Sequence, residues 1–214
     1  MGALKTCSSL KGGWRRRISA ALLLVAIAGV VARVAWLNAA CPPPAEDMAS
    51  TGQWLQAGEG HPDARGYSFR VESAQVMSPN EFLATYGRDG VQTVPDVDAD
   101  EPTIIAVRMT IRNDRADYGG VDAWEWSVVG EGLALEYPFS SDLFSHVEPG
   151  VSSGMFSVKP GESYTTCLPF CAPVDMPYFS PAGSYRRCVV KETSFHLSTE
   201  LHPVRKRIAF DVRG

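Results

Sequence analysis

The pentapeptide Gly150-Val-Ser-Ser-Gly154 has the G-x-S-x-G spacing of the nucleophile elbow of serine hydrolases. In that chemistry Ser152 would attack an acyl group, and Asp175 with His196 or His202 would follow in hydrolase order. The elbow requires a strand that turns sharply into a helix, whereas EPG before and MFSVKPGE after indicate a turn followed by a strand. We therefore predict a surface turn and no catalytic residue. An exported serine hydrolase that uses Ser152 remains the alternative function.

Four cysteines lie beyond the first forty residues: Cys41, Cys167, Cys171 and Cys188. In an extended segment Cys167 and Cys171 would be about 13 Å apart, too far for a disulfide. A cross-strand bond between Cys171 and Cys188 is easier, and closing that loop would contribute about 3 kcal/mol. We predict this disulfide. Free or metal-binding thiols remain an alternative, and the C-L-P-F-C spacing does not match a thioredoxin-like redox motif.

The acidic run DVDADE, residues 96–101, resembles the opening of a calcium loop. An EF-hand requires Gly at the sixth position and Glu at the twelfth, where this sequence has Glu101 and Val107. A solvated acidic loop is favoured, and calcium binding through Asp96, Asp98 and Asp100 stays open. The histidines lack zinc-ligand spacing, so we predict neither a metal site nor a cofactor.

Two further groups could recognise a ligand. Trp124 and Trp126 would lie on one face of a predicted strand over residues 123–129, where core packing is favoured and an exposed platform for glycan or peptide is the alternative. The basic run 205–207, together with Arg186 and Arg187, is favoured as a polar strand face. Contact with an anionic wall polymer or lipid is its alternative.

The N-terminal segment predicts membrane contact. Residues 18–40 are uncharged except for Arg33 and mostly apolar, and as a helix they would reach about 34 Å, enough to cross a hydrocarbon core of about 30 Å. The basic residues 15–17 should stay cytoplasmic, so the rest of the chain would lie outside. An uncleaved anchor is favoured. Cleavage near residues 37–40 and lipidation at Cys41 are the alternatives, although Asn38 stands where a lipobox requires an aliphatic residue.

Charge is distributed unevenly along the chain. Residues 1–40 contain six basic residues and no acid, whereas the remainder contains 14 basic and 24 acidic residues, a balance of −10. Nucleic-acid modules depend on clustered Lys and Arg to displace counterions. We therefore predict that nucleic acid is not a partner.

The exported part divides into a linker and one β-rich domain. Residues 41–64 combine a triple Pro with Gly, Ser and acids, which is typical of a linker. Beyond it, residues alternate with period two, most clearly in TIIAVRMTIRND, and SPNEFLATYG has the capping box of a short helix. The other predicted strands are 67–71, 123–129, 133–139, 155–158, 163–170, 185–190, 193–198 and 205–212. Seven to nine short strands predict an all-β, immunoglobulin-like sandwich over residues 65–214.

The order GYSFRVESAQV, SPNEFLATYG, IIAVRMTIRND, VKPGESYTTCLPF and HPVRKRIAFDV resembles uncharacterised immunoglobulin-like domains of bacterial lipoproteins and membrane-anchored envelope proteins. The resemblance covers about residues 66–213 and implies fold and location, since these families have no agreed activity.

Together these features predict four segments: a cytoplasmic basic N-terminus (1–17), a signal anchor (18–40), a Pro-rich linker (41–64) and the sandwich (65–214). We predict a single-pass protein of the cell membrane whose extracytoplasmic domain is a non-enzymatic binding or assembly module. Its partner would be an envelope protein or a wall polymer.

Overall fold

The computed structural model describes residues 10–40, 45–60, 62–91, 93, 99–117, 119–132, 135–151, 154–172, 174–175, 186–201 and 203–212. The chain forms two compact units, residues 1–43 and 44–214. The first contains α1 (Leu10–Ala40). Within it, Ser19–Ala40 is 22 residues long and apolar enough to cross a membrane, which confirms the predicted apolar helix.

The second unit is mostly β. A five-stranded sheet has the order β1 (Ala45–Ser50), β13 (Val204–Asp211), β12 (Ser194–Glu200), β6 (Ser127–Gly130) and β7 (Glu136–Pro138). A four-stranded sheet has the order β2 (Leu55–Gln56), β3 (Tyr67–Met77), β4 (Ile104–Asn113) and β9 (Ser163–Cys171). Two short ladders join β5 (Val121–Asp122) to β8 (Met155–Phe156) and β10 (Val174–Asp175) to β11 (Arg186–Arg187).

Both larger sheets bury their apolar faces in one hydrophobic core. The strongest predicted strand is confirmed as β4, in which Ile105, Val107, Met109 and Ile111 are fully buried. The five-stranded sheet adds Phe195, Leu197 and Ile208 among others to the same cluster. Every second side chain of a strand points to the same face, and Ile104 and Ala106 on the other face of β4 are buried as well, so the first half of this strand is covered on both faces.

The predicted short helix is confirmed as α2 (Pro79–Tyr86). The Ser78 hydroxyl accepts a hydrogen bond from the Glu81 amide, and the Glu81 carboxylate accepts one from the Ser78 amide at 2.9 Å. This is the capping box that the sequence predicts. A second helix, α3 (Ser141–Val147), was not predicted, and its N-cap residue Ser140 makes no side-chain capping bond.

The predicted linker over residues 41–64 is wrong for its described part, because β1 and β2 belong to the two sheets. β1 pairs in parallel with β13 along six positions, from Ala45 opposite Val204 to Ser50 opposite Ala209. Only Ala49 of β1 is buried, so this edge strand lacks the alternation that reveals a strand in sequence. Backbone pairing positions it instead.

The basic run 205–207 belongs to β13 and meets acidic residues of β1. Lys206 Nζ lies 2.5 Å from an Asp47 carboxylate oxygen, and the guanidinium groups of Arg205 and Arg207 lie 3.6 and 3.3 Å from the Glu46 carboxylate. The favoured prediction of a polar strand face agrees with this arrangement. The pairing also reduces the charge that this surface offers to an anionic polymer.

Candidate ligand-binding pocket

The predicted hydrolase residues are only partly described. Ser152 and His202 lie outside the described residues, whereas His196 lies in the middle of β12, opposite Val129 and Ala209. The described neighbours of the G-x-S-x-G sequence run from α3 through a turn into β8. A nucleophile elbow needs the reverse order, strand, turn and helix. The local structure therefore does not match that motif.

The predicted disulfide between Cys171 and Cys188 is not present in the structure. Cys171 ends β9 opposite Ile104, whereas Cys188 follows β11, so the two residues belong to different ladders. Burial raises the pKa of the Cys167 thiol to about 12, so this thiol stays protonated at neutral pH. Cys41 lies outside the described residues.

Of the predicted calcium loop over residues 96–101, residues 96–98, and with them Asp96 and Asp98, lie outside the described residues. The Asp100 carboxylate accepts a hydrogen bond from the Asn80 side-chain amide at 2.8 Å. Within the described ranges, no three metal-ligating side chains are close enough to hold one ion. The calcium alternative therefore gains no support from this part of the chain.

The two neighbouring tryptophans have different environments. The predicted strand over residues 123–129 is wrong at its start, because Ala123–Glu125 form a 3₁₀ turn, and the Asp122 side chain caps it by accepting from the Trp124 amide. Trp124 is 58% exposed, whereas Trp126 is 4% exposed and packs edge-on against Phe69 with ring centroids 4.9 Å apart. Core packing is thus confirmed for Trp126 and is wrong for Trp124.

A cavity of about 550 Å³ opens beside Trp126, and we call it the acidic pocket. Four stretches of the chain line it, within residues 57–64, 119–126, 155–157 and 199–200, together with Phe69. Its volume falls in the range of about 300 to 1,000 Å³ that is usual for small-molecule sites. Apolar walls and a few polar groups make it the best-formed candidate site among the described residues.

Backbone contacts between distant segments shape this pocket. The amide of Gly120 donates to the Asp63 carbonyl at 2.8 Å, and Gly119 has a φ of +92°, which an L-residue rarely adopts. A Cβ on Gly119 would also collide with the Asp63 backbone. Val121 and Asp122 then pair with Phe156 and Met155, which brings β8 to the same wall. The two adjacent glycines therefore allow these segments to approach closely.

Four carboxylates give the pocket its electrostatic character: those of Asp63, Asp122, Glu125 and Glu200. The described lining includes no Lys, Arg or His. A neighbouring cavity of about 700 Å³ differs, since its lining combines three basic with three acidic side chains. The basic ones are Arg65, Arg115 and Lys206, and the acidic ones are Glu59, Asp114 and Glu200. The excess of acid is thus specific to the first pocket.

Glu200 is the most buried of the four acidic residues, with 4% of its surface exposed. Its carboxylate accepts a hydrogen bond from the Gly60 amide at 2.6 Å, and a Cβ on Gly58 would collide with it. The glycine-rich stretch 58–60 therefore wraps closely around this carboxylate. The sequence did not indicate Glu200, because this residue ends β12 without belonging to a recognisable motif. The only hint was the distant G-E-G stretch at residues 58–60, whose glycines indicate a close backbone approach.

His196 provides a prediction of pH-dependent stability. Burial, followed by the positive charge of Arg207, lowers the pKa of His196, whereas Glu131 and Glu46 oppose that shift. Because the unfolded histidine has a pKa of about 6.5, the unfolded state binds more protons just below that pH. The contribution of neutral His196 to stability is therefore present above about pH 6.5 and is lost as the pH falls towards the folded-state pKa. We expect Tm to decrease between pH 7 and pH 5.

The His196→Gln variant should lack the part of the Tm decrease between pH 7 and pH 5 that His196 causes. Thermal unfolding followed by circular dichroism measures Tm. His146→Gln is the control, because His146 is partly exposed on α3, where its ring nitrogen lies 2.5 Å from an Asp89 carboxylate oxygen and outside the five-stranded sheet that holds His196. An unchanged pH profile for His196→Gln would show that another group causes the loss.

Comparisons with known proteins identify a family. The model of a domain of unknown function, DUF5028, matches residues 52–206, which is more than half of the chain. The comparison with curated proteins gave no match. Among solved structures, the yjhA protein from Bacillus subtilis is similar over 77% of this chain and 100% of its own, with 11% identity and a TM-score of 0.35. The chain belongs to the family of this domain of unknown function, DUF5028.

Proposed function

We propose that this protein is a membrane-anchored, extracytoplasmic binding module that takes a ligand of the cell envelope into its acidic pocket. The observation that carries the proposal is the pocket itself, about 550 Å³ in volume with aromatic walls and several polar groups in its lining. Such pockets are the usual form of a small-ligand site. The ligand would be a small envelope molecule or a side chain of an envelope protein.

The anchor is α1, and the charge around it supports the proposed side. Basic residues 15–17 precede the apolar segment, and 24 acidic residues follow it. Positively charged flanks remain cytoplasmic, so the β-rich unit would be exported. Arg33 does not oppose this arrangement, because its guanidinium lies 4.5 Å from the Trp36 ring and both side chains suit the membrane interface.

The finer fold that we propose is an immunoglobulin-like sandwich. Two sheets of five and four strands contribute to one core, as in β-sandwiches. Phe139 forms an isolated bridge with Phe170 and stacks edge-on with it at 6.1 Å, so a contact between the sheets is built from aromatic rings. A rigid sandwich of this kind suits a module that binds through a fixed surface.

We propose binding without catalysis. The described lining contains hydroxyl groups at Ser157 and Thr199 but no histidine or lysine that could activate them as nucleophiles. The carboxylates are adapted to recognising a ligand electrostatically. Ligand recognition by carboxylates, without a chemical step, is the simplest role that these side chains support.

Blocking the pocket tests the proposal. Ala57 lines the acidic pocket and also borders the neighbouring cavity, so Ala57→Trp should fill part of the acidic pocket and abolish binding of fragments that the wild type binds there. The measurement is ligand-observed NMR with a library balanced between cationic, neutral and anionic fragments. The full chain would be used in lipid nanodiscs, with empty nanodiscs as the blank.

Gln56→Trp is the matched control, because Gln56 is one residue earlier, is exposed, and lines the neighbouring cavity but not the acidic pocket. This variant should retain the wild-type hits. A library without any hit that is sensitive to Ala57→Trp would contradict the proposed binding function, whatever the charge of the fragments.

A further inference from the structure

We infer that the ligand of the acidic pocket is an organic cation, an ammonium or guanidinium group carried on an apolar body. This inference rests on the proposed binding function and adds the chemical class of the ligand. Its three supports are the charge of the lining, the buried Glu200 carboxylate and the composition of the walls.

The lining charge selects for a cation. Asp63, Asp122, Glu125 and Glu200 contribute four carboxylates, without a basic side chain among the described lining residues. The acidic composition of the domain does not by itself explain this, because the neighbouring cavity balances three acids with three bases. A concave site lined by one sign of charge raises the local concentration of oppositely charged ligands. An anionic ligand would instead meet repulsion on entering.

Glu200 gives an independent reason. It is more than nine-tenths buried, and the hydrogen bond from the Gly60 amide is a neutral contact. No ion pair joins Glu200 to a basic side chain within the described part of the chain, and the nearest basic strand neighbour, Lys206, pairs with Asp47. Buried charges are normally paired because desolvation is costly. A cationic ligand would provide the missing partner.

The walls indicate an organic cation. Trp126, Phe156 and Phe69 line the pocket with Met155, so aromatic rings and a polarisable sulfur belong to the same lining as the carboxylates. Aromatic rings attract ammonium and guanidinium groups and pack against their apolar stems. A bare metal ion fits less well, because within the described ranges no three acidic or histidine side chains converge on one point. A cation with an apolar body would use both features.

Three ligands of similar shape and different charge test whether the pocket prefers an organic cation. The probes are phenethylammonium, phenethyl alcohol and phenylpropionate, titrated against the full chain in nanodiscs by ligand-observed NMR. We expect the ammonium to bind at least about tenfold more tightly than the alcohol, and the carboxylate to bind most weakly. If the alcohol or the carboxylate binds as tightly and Ala57→Trp still abolishes binding, the cation class is overturned while the binding function stands.

Charge-neutralising variants connect the preference to specific residues. Glu200→Gln should weaken phenethylammonium at least about tenfold and leave the alcohol unchanged. Asp63→Asn is the second variant, because Asp63 is exposed and its replacement leaves the buried region intact. Glu59→Gln, on the neighbouring cavity, is the matched control and should retain wild-type affinity. Unchanged ammonium affinity in both Glu200→Gln and Asp63→Asn would refute the inference.

Competition identifies the source of the cation. A lysine- and arginine-containing peptide and free spermidine would each be titrated against bound phenethylammonium. Stronger displacement by the peptide indicates a basic side chain of an envelope protein, and stronger displacement by spermidine indicates a free polyamine. Failure of both to displace the probe would overturn the inferred class for natural ligands.

Discussion

Replacing Asn113 with alanine should lower the free energy of unfolding by about 3 kcal/mol. The Asn113 side-chain amide donates to the carbonyl groups of Ala116 and Val158, both at 2.8 Å, and its oxygen accepts from the Ala116 amide at 2.6 Å. The residue is 1% exposed, so water cannot replace these bonds. Each lost bond costs about 1 kcal/mol, and buried groups left without a partner add to that cost. Urea unfolding monitored by circular dichroism measures the change.

Two control variants separate the effect of the lost Asn113 hydrogen bonds on stability from the effect of the lost side-chain volume. Asn113→Asp keeps the size but places a carboxylate against two carbonyl oxygens, so it should destabilise at least as much as alanine. Asn80→Ala removes a side-chain amide bonded to Asp100 at an exposed position, and we expect a loss below about 1 kcal/mol. If Asn113→Ala and Asn80→Ala cost the same, the network around Asn113 does not stabilise the fold as inferred.

This network explains why a polar side chain is fully buried at the end of β4. Asn113 is the last residue of β4. Its side chain bonds the turn at Ala116 to Val158, which lies in the segment before β9. The Tyr67 hydroxyl reaches the same backbone, donating to the Val158 carbonyl and accepting from its amide, both at 3.3 Å. Asn113 and Tyr67 thus satisfy backbone groups where three strands of one sheet end.

The sequence predicts the central strands because their signal is local. β3 and β4 contain the alternating apolar residues that predict a strand, although β4 and β9 also bury residues of their other face, and α2 begins at a capping box that can be read from four residues. β1 has no such signal, since its side chains are mostly exposed and only pairing with β13 holds it in the sheet. The strand prediction at Trp124 is wrong for a related reason. The apparent alternation suggests a strand, but the Asp122 side chain caps a turn at this position.

The acidic pocket could not be predicted, because residues distant in sequence build it. Asp63, Gly119, Met155 and Glu200 come together only after both sheets have formed. No pair of them has the spacing of a known motif. The adjacent glycines at 119 and 120 and the G-E-G stretch at 58–60 were the available hints, and each indicates a close backbone approach without indicating a ligand.

Deleting residues 1–43 should move the protein from the membrane fraction to the soluble fraction. The deleted unit contains the 22-residue apolar segment of α1, whose exposed leucines and valines include Leu22, Leu24 and Val30. A helix of that length spans about 33 Å, and burying it in lipid makes insertion effectively irreversible. The measurement is carbonate extraction followed by immunoblotting of the membrane pellet and supernatant. The shortened chain keeps β1 and should therefore remain folded.

The N-terminus of the mature protein distinguishes an uncleaved anchor from cleavage and from lipidation, because only the uncleaved anchor keeps the apolar segment of α1. Cleavage after residues 39 or 40 would release the β-rich unit, and lipidation would leave a modified Cys41 as the first residue. Intact mass spectrometry of the extracted protein should instead give an N-terminus at Met1 or Gly2. Under the proposed orientation, protease added to intact cells should then degrade the β-rich unit while the basic N-terminus stays protected, because positively charged flanks such as residues 15–17 remain cytoplasmic. A β-rich unit that resists protease until the cells are lysed would place it on the cytoplasmic side and contradict the proposed orientation.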